Sequence, residues 1–182
     1  MQANETISAG IEADLALIRE AAREGGEIAM RHFRRDPETW LKNGSSPVSA
    51  ADIAVDDFLR RTLRAARPDY GWLSEETADS PERLSARRTF VVDPIDGTRA
   101  FLDGRRTWCV SVAVVEAGEP LAGVLDCPAR GEFYEATLSG PALRNGAAIG
   151  VARPASAPRV AGPKAMLAQA PDYMRAGPAI AY

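Results

Sequence analysis

Asp93-Pro94-Ile95-Asp96-Gly97-Thr98 follows directly on the apolar run Thr89-Phe90-Val91-Val92. The β-branched and aromatic residues before it predict a short strand that ends at Asp93. Two carboxylates three residues apart bracket a rigid Pro-Ile pair, so one turn can point both into a single site. The Ile95 carbonyl adds a neutral oxygen. Gly97 lets the backbone approach a ligand closely. A helix starting near Thr98 would present free N–H groups to an anion. Oxygen donors of this kind suit Mg²⁺, which keeps several waters and takes few carboxylates together with substrate phosphate. Taken alone, Asp-Pro and Asp-Gly are ordinary turn dipeptides. The weight comes from the residues upstream.

Trp72-Leu73-Ser74 predicts another short strand, running into Glu75-Glu76. Before it, Ala51–Ala66 has helical spacing, with Val55, Phe58, Leu59, Thr62, Leu63 and Ala66 facing a core. Ser49 can cap that helix, with Asp52 as the third residue of a capping box. Asn43-Gly44-Ser45-Ser46-Pro47 predicts a loop. A first helix is predicted over 11–33, with Ile11, Leu15, Ile18, Ala22, Ala29 and Phe33 on one stripe. Gly25-Gly26 inside it implies close packing.

Downstream, Thr107–Glu116 predicts a long strand turned by Gly118-Glu119-Pro120. Leu121–Leu125 and Glu132–Thr137 continue a meander, and Asn145-Gly146 is a hairpin-type turn before Ala147–Val151. Beyond residue 151 the chain becomes rich in Ala and Pro and holds one acidic residue, Asp172. That shift predicts a first domain over 1–152 and the start of a second over 153–182.

The 182 residues carry 22 basic and 25 acidic side chains, a formal net charge of -3, and are 46% hydrophobic. Such a chain can bury about 70% of its unfolded surface. No long Lys/Arg block exists, so a nucleic-acid polymer is not the expected partner. No apolar run approaches the ~20 residues needed to cross a bilayer, and no membrane partner is expected. Met1–Gly10 lacks the pattern of a signal peptide, which points to the cytoplasm. Cys109 and Cys127 sit in apolar runs and are expected as small core residues. His32 has no acid partner placed near it by the sequence. A zinc site or a Cys-His catalytic pair is therefore not expected. Trp108 reads as core.

Three segments together resemble one family. Asp93-Pro94-Ile95-Asp96-Gly97-Thr98 matches the D-P-[IL]-D-G-T signature of the inositol monophosphatase family. Trp72-Leu73-Ser74-Glu75-Glu76 resembles its G-x-x-x-E-E segment. Ser46-Pro47-Val48-Ser49-Ala50-Ala51-Asp52 resembles its V-T-x-x-D segment, with Lys42 upstream.

The resemblance implies an α+β fold in layers, helices 11–33 and 51–66 lying on one face of a largely antiparallel sheet. It implies a Mg²⁺-dependent, often lithium-sensitive phosphomonoesterase that acts by metal-activated water and uses two or three ions. Glu75, Asp93, the Ile95 carbonyl and Asp96 would be the metal ligands. Asp52 and Thr98 would be the catalytic pair that orients and deprotonates the water. The Gly97 and Thr98 N–H groups would hold the phosphate. Inositol phosphates are the default substrate. A 3'(2'),5'-bisphosphate nucleotide and histidinol phosphate are alternatives, and a homodimer is a possible assembly. The family also has a W-D-x-A-A-G segment whose Asp completes the second metal site. This sequence has none, so the second, α/β domain is expected to be only begun. A non-catalytic metal- or partner-binding fragment stays open beside the enzyme.

Overall fold

The computed structural model describes residues 2–42, 46–151, 160–162, 164–168 and 179–181. Two compact units divide the chain, Met1–Ile149 and Gly150–Tyr182.

The first unit begins with α1 (Gln2–His32), longer at its N-terminal end than the apolar stripe predicts. Ile11, Leu15, Ile18, Ala22 and Ala29 are buried as expected, and Phe33 packs at the core's margin. The glycine pair is a packing device. A Cβ on Gly25 would touch Val55, Val110 and Leu59, and one on Gly26 would run into the Asp126 carboxylate and Pro128. Their missing side chains let α1 lie close to α2 and the sheet.

Two strands, β1 (Thr39–Lys42) and β2 (Ser46–Ser49), pair antiparallel where a loop was expected over 43–47. Residues 43–45 lie outside the described residues. Helix α2 (Ala50–Ala66) follows at once, with Ser49 at its N-cap in the expected capping box with Asp52. Val55, Leu59 and Leu63 are fully buried, whereas Ala66 is exposed because the helix ends there on the surface.

A seven-stranded sheet carries the rest of the unit, in sequence order: β3 (Gly71–Ser74), β4 (Arg88–Asp96), β5 (Cys109–Glu116), β6 (Glu119–Cys127), β7 (Glu132–Thr137), β8 (Leu143–Arg144) and β9 (Ala147–Ala148). Only β3 and β4 run parallel within it, joined by a crossover that includes a short 3₁₀ helix at Pro81–Ser85. The remaining pairs are antiparallel. Ala117 and Gly118, with φ of 52° and 85°, make the β5–β6 turn, so Glu119 and Pro120 already belong to β6. Asn145 and Gly146, with φ of 49° and 78°, turn β8 into β9 as their sequence predicts.

Phe90, Val92, Val110, Val112, Val114, Ala122 and Val124 alternate along β4, β5 and β6 and bury one sheet face in the same core as α1 and α2. A buried carboxylate pins α1 to this layer. Asp14, 1% exposed, accepts hydrogen bonds from Arg67 Nε at 3.0 Å, Tyr70 Oη at 2.8 Å and Arg88 Nη1 at 2.8 Å. Ionised groups survive burial only when paired in this way.

In the second unit, β10 (Val160–Gly162) and β11 (Ala179–Ala181) pair in parallel, with α4 (Lys164–Ala168) between them in sequence. No helix among the described residues is long and apolar enough to cross a membrane.

Candidate active site

Parallel pairing of β3 and β4 brings two acidic segments to the same end of the sheet. Glu75 follows the last residue of β3 and donates its backbone N–H to Val92 O at 3.2 Å. The next residue along β4 is Asp93. Strand β4 does not stop there, as the sequence suggested, but runs on to Asp96. Asp93 pairs with Ser111 and Asp96 with Cys109. Two β4 residues, Pro94 and Ile95, therefore oppose Val110 alone, which is a β-bulge. Strand side chains alternate, so residues three apart would normally face opposite sides. The extra residue restores the phase, and Asp93 and Asp96 share one face. Proline suits a bulge because it has no N–H to give to the ladder. Pro94 and Ile95 are both buried beneath the acids.

Gly97 follows in the left-handed region with φ 92°, and a Cβ there would lie 2.9 Å from Thr107 O. The chain then enters α3 (Thr98–Leu102). Phe101 packs edge-on to Trp108 at 4.9 Å between ring centroids, and Phe33 stacks against both. Trp108 is thus core, as expected, and it braces the Gly97 turn from behind.

Asp52, 1% exposed, reaches this turn from the first turn of α2. Its Oδ2 accepts the Ser49 N–H at 2.8 Å and the Ser49 hydroxyl at 2.6 Å. The Thr98 hydroxyl shares its proton between Asp52 Oδ1 at 3.3 Å and Ile95 O at 3.1 Å. One Asp52 oxygen thus serves the helix cap while the other faces Thr98.

The acids crowd one another. Burial, then the charge of Glu75 and a hydrogen bond with it, then the charges of Asp96 and Asp52, push the Asp93 carboxyl up to about 8. Burial also raises Asp52, against the hydrogen bonds from Ser49 and Thr98 that favour its ionised form. Burial raises Glu76, and Lys42 opposes it. Among the described residues, no three acidic, His or Cys side chains stand close enough to form a ready-made metal cage. The donor chemistry nevertheless fits a hard divalent cation. Every expected donor is an oxygen, and Asp93 is loaded with repulsion that a cation would relieve.

The sequence reading overlooked what holds the Glu75-Glu76 segment. Lys42 Nζ donates to Glu75 O and pairs with Glu76 Oε2 at 3.3 Å. Buried Asp56, one turn after Asp52, accepts the Ser74 hydroxyl and the Thr77 hydroxyl, the latter at 2.6 Å. The i, i+4 spacing of Asp52 and Asp56 on α2 was the available signal. A cavity of about 830 Å³ lined by Arg60, Arg61, Arg64 and Arg83 lies apart and contains none of the predicted site residues. A smaller cleft of about 240 Å³ is bounded by Asp96, Gly97, Trp108, Cys109 and Cys127.

A model of the inositol monophosphatase family matches residues 12–171. The chain belongs to the inositol monophosphatase family. It is 34% identical over 139 residues to a histidinol-phosphatase of Chlorobaculum parvum, covering 76% of this chain and 53% of that protein. It is also 34% identical over 140 residues to an inositol-1-monophosphatase of Mesorhizobium japonicum, covering 76% of this chain and 52% of that one. Its fold superposes on an IMPase of Thermotoga maritima with a TM-score of 0.77 at 27% identity, over 86% of this chain and 62% of that one. The family's layered α+β fold is the one observed. The chain spans about half the length of the curated relatives it matches.

Proposed function

We propose that this chain carries the metal-binding part of a Mg²⁺-dependent phosphomonoesterase acting on a small phosphorylated metabolite. The observation that supports it is the bulge in β4, which turns Asp93 and Asp96 to one face beside Glu75. In this reading Glu75, Asp93, the Ile95 carbonyl and Asp96 hold the metal. When bound, the metal neutralises charge building on the phosphate oxygens and lowers the pKa of the attacking water. Asp52 Oδ1 and the Thr98 hydroxyl orient that water and take its proton. A carboxylate raised by burial is a better base than an exposed one. The Gly97 and Thr98 N–H groups hold the substrate phosphate. No covalent nucleophile is required. Residues 153–182 begin the second domain, which contributes to substrate choice.

The two relatives above carry names for different substrates at the same identity, so neither name selects the substrate. The test is phosphate release from inositol 1-phosphate, adenosine 3',5'-bisphosphate and histidinol phosphate, with Mg²⁺ and with added Li⁺. Mg²⁺-dependent release that Asp93→Asn abolishes supports the reading. No release from any of the three, or release that Asp93→Asn leaves intact, overturns it.

A further inference from the structure

Two cysteines, Cys109 and Cys127, meet beside the acidic turn. In the β5–β6 ladder Val110 opposes Asp126. One step outward, Cys109 begins β5 and Cys127 ends β6, so they are cross-strand partners. Opposed residues of an antiparallel pair have Cα atoms about 4.5–5.5 Å apart. That lies inside the roughly 4.4–6.8 Å range a disulfide spans. Both residues line the cleft that Asp96 and Gly97 share. Cys109 is 8% exposed and its thiol lies 3.9 Å from Asp96 Oδ2. Cys127 is half-buried and is the more accessible of the two. A tight turn fixes it, with the Arg130 N–H donating to Cys127 O at 2.9 Å. The hydrogen bond with Cys109 favours a thiolate at Cys127, against burial and the charges of Asp126 and Glu132, and Arg130, which also lines the cleft, adds to it.

We infer that Cys109 and Cys127 form a peroxide-reactive dithiol that closes into a cross-strand disulfide against Asp96. The Cys127 thiolate attacks one oxygen of hydrogen peroxide. The O–O bond breaks, hydroxide leaves, and Cys127 becomes a sulfenic acid. The Cys109 sulfur then attacks Cys127 Sγ. The S–S bond forms, the S–O bond breaks, and the departing hydroxide takes the Cys109 thiol proton as water. In sum, two thiols lose two electrons and two protons, and peroxide is reduced to two waters. A thiol reductant reverses the change by exchange. The inference uses no part of the phosphatase reading. Closure would still alter the surroundings of Asp96, since it consumes the S–H group that faces its carboxylate.

The test treats the full 182-residue chain with an equimolar amount of hydrogen peroxide and follows it by intact mass and peptide mapping. The expected result is loss of two hydrogens, a linked Cys109–Cys127 peptide, and complete reversal by dithiothreitol. In Cys109→Ser the Cys127 sulfenic acid should persist and be captured by dimedone. In Cys127→Ser, Cys109 should stay reduced. Wild-type chain that accumulates dimedone-labelled Cys127 without the linked peptide overturns the inference. So does a disulfide that forms only between two chains.

Discussion

Asp52 and Thr98 meet 46 residues apart in sequence, the threonine hydroxyl 3.3 Å from Asp52 Oδ1 while Asp52 Oδ2 caps its own helix. Capping and catalysis should therefore separate by mutation. Thr98→Ala removes only the side of the pair to which the proposed function gives a catalytic role. It should lower phosphate release by about 10²-fold or more, the usual worth of a positioned proton-transfer group. Stability should change little. Ser49→Ala should instead cost about 1 kcal/mol of stability through the cap. Steady-state kinetics and thermal denaturation of the two variants check this. Equal losses of activity and stability in both would contradict the division.

Gly97 has a positive φ and no room for a Cβ against Thr107 O. Gly97→Ala should destabilise the fold by about 1–3 kcal/mol. Urea denaturation measures it, and an unchanged midpoint would show that the turn relaxes.

Metal-free chain should lose stability as pH rises from 5 to 8. Asp93 keeps its proton to about 8 in the folded state, while the unfolded carboxyl releases it near 3.8. Between those values the native state binds more protons, so stability falls with pH. Asp126, raised to about 6 by burial, adds the same sign over the lower part of the window. The lowered carboxyls of Asp79, Glu116 and Glu132, each paired with arginine, act at more acid pH. Asp93→Asn should flatten the slope and stabilise the metal-free chain at pH 8, and Mg²⁺ should stabilise wild type but not this variant. Melting temperatures across pH, with and without Mg²⁺, decide the matter.

Asp56→Ala should free the Ser74 and Thr77 hydroxyls and loosen the Glu75-Glu76 segment. Removing the acceptor from buried donors costs about 1–3 kcal/mol. Hydrogen exchange should speed up at residues 74–77 before it does in β5. Uniform change across the sheet would mean that Asp56 serves global stability alone.

Much of this arrangement was legible where the signal is local. The apolar stripe of α1, the Ser49 cap, and the turn residues Asn145 and Gly146 report conformations set within a few positions of themselves. The acids of the candidate site were legible as residue types. Their common face was not, because it depends on which residues of β5 oppose Pro94 and Ile95. Pairing of β1 with β2 was hidden for the same reason, since their register is not encoded in either tetrapeptide. Nothing local in the sequence marks Asp14 or Asp56 as buried. Their burial follows from Arg67, Tyr70, Arg88, Ser74 and Thr77, which reach them only after the chain has folded.

The bulge in β4 also makes the site depend on counting. Deleting Ile95, or inserting one residue beside it, would preserve every carboxylate and leave the strand apolar where it should be. It would still rotate Asp96 to the opposite side of the sheet from Asp93. A scan of point substitutions would pass over this sensitivity, whereas a single-codon deletion would expose it. The length of β4 between its two aspartates thus decides whether they face the same side at all.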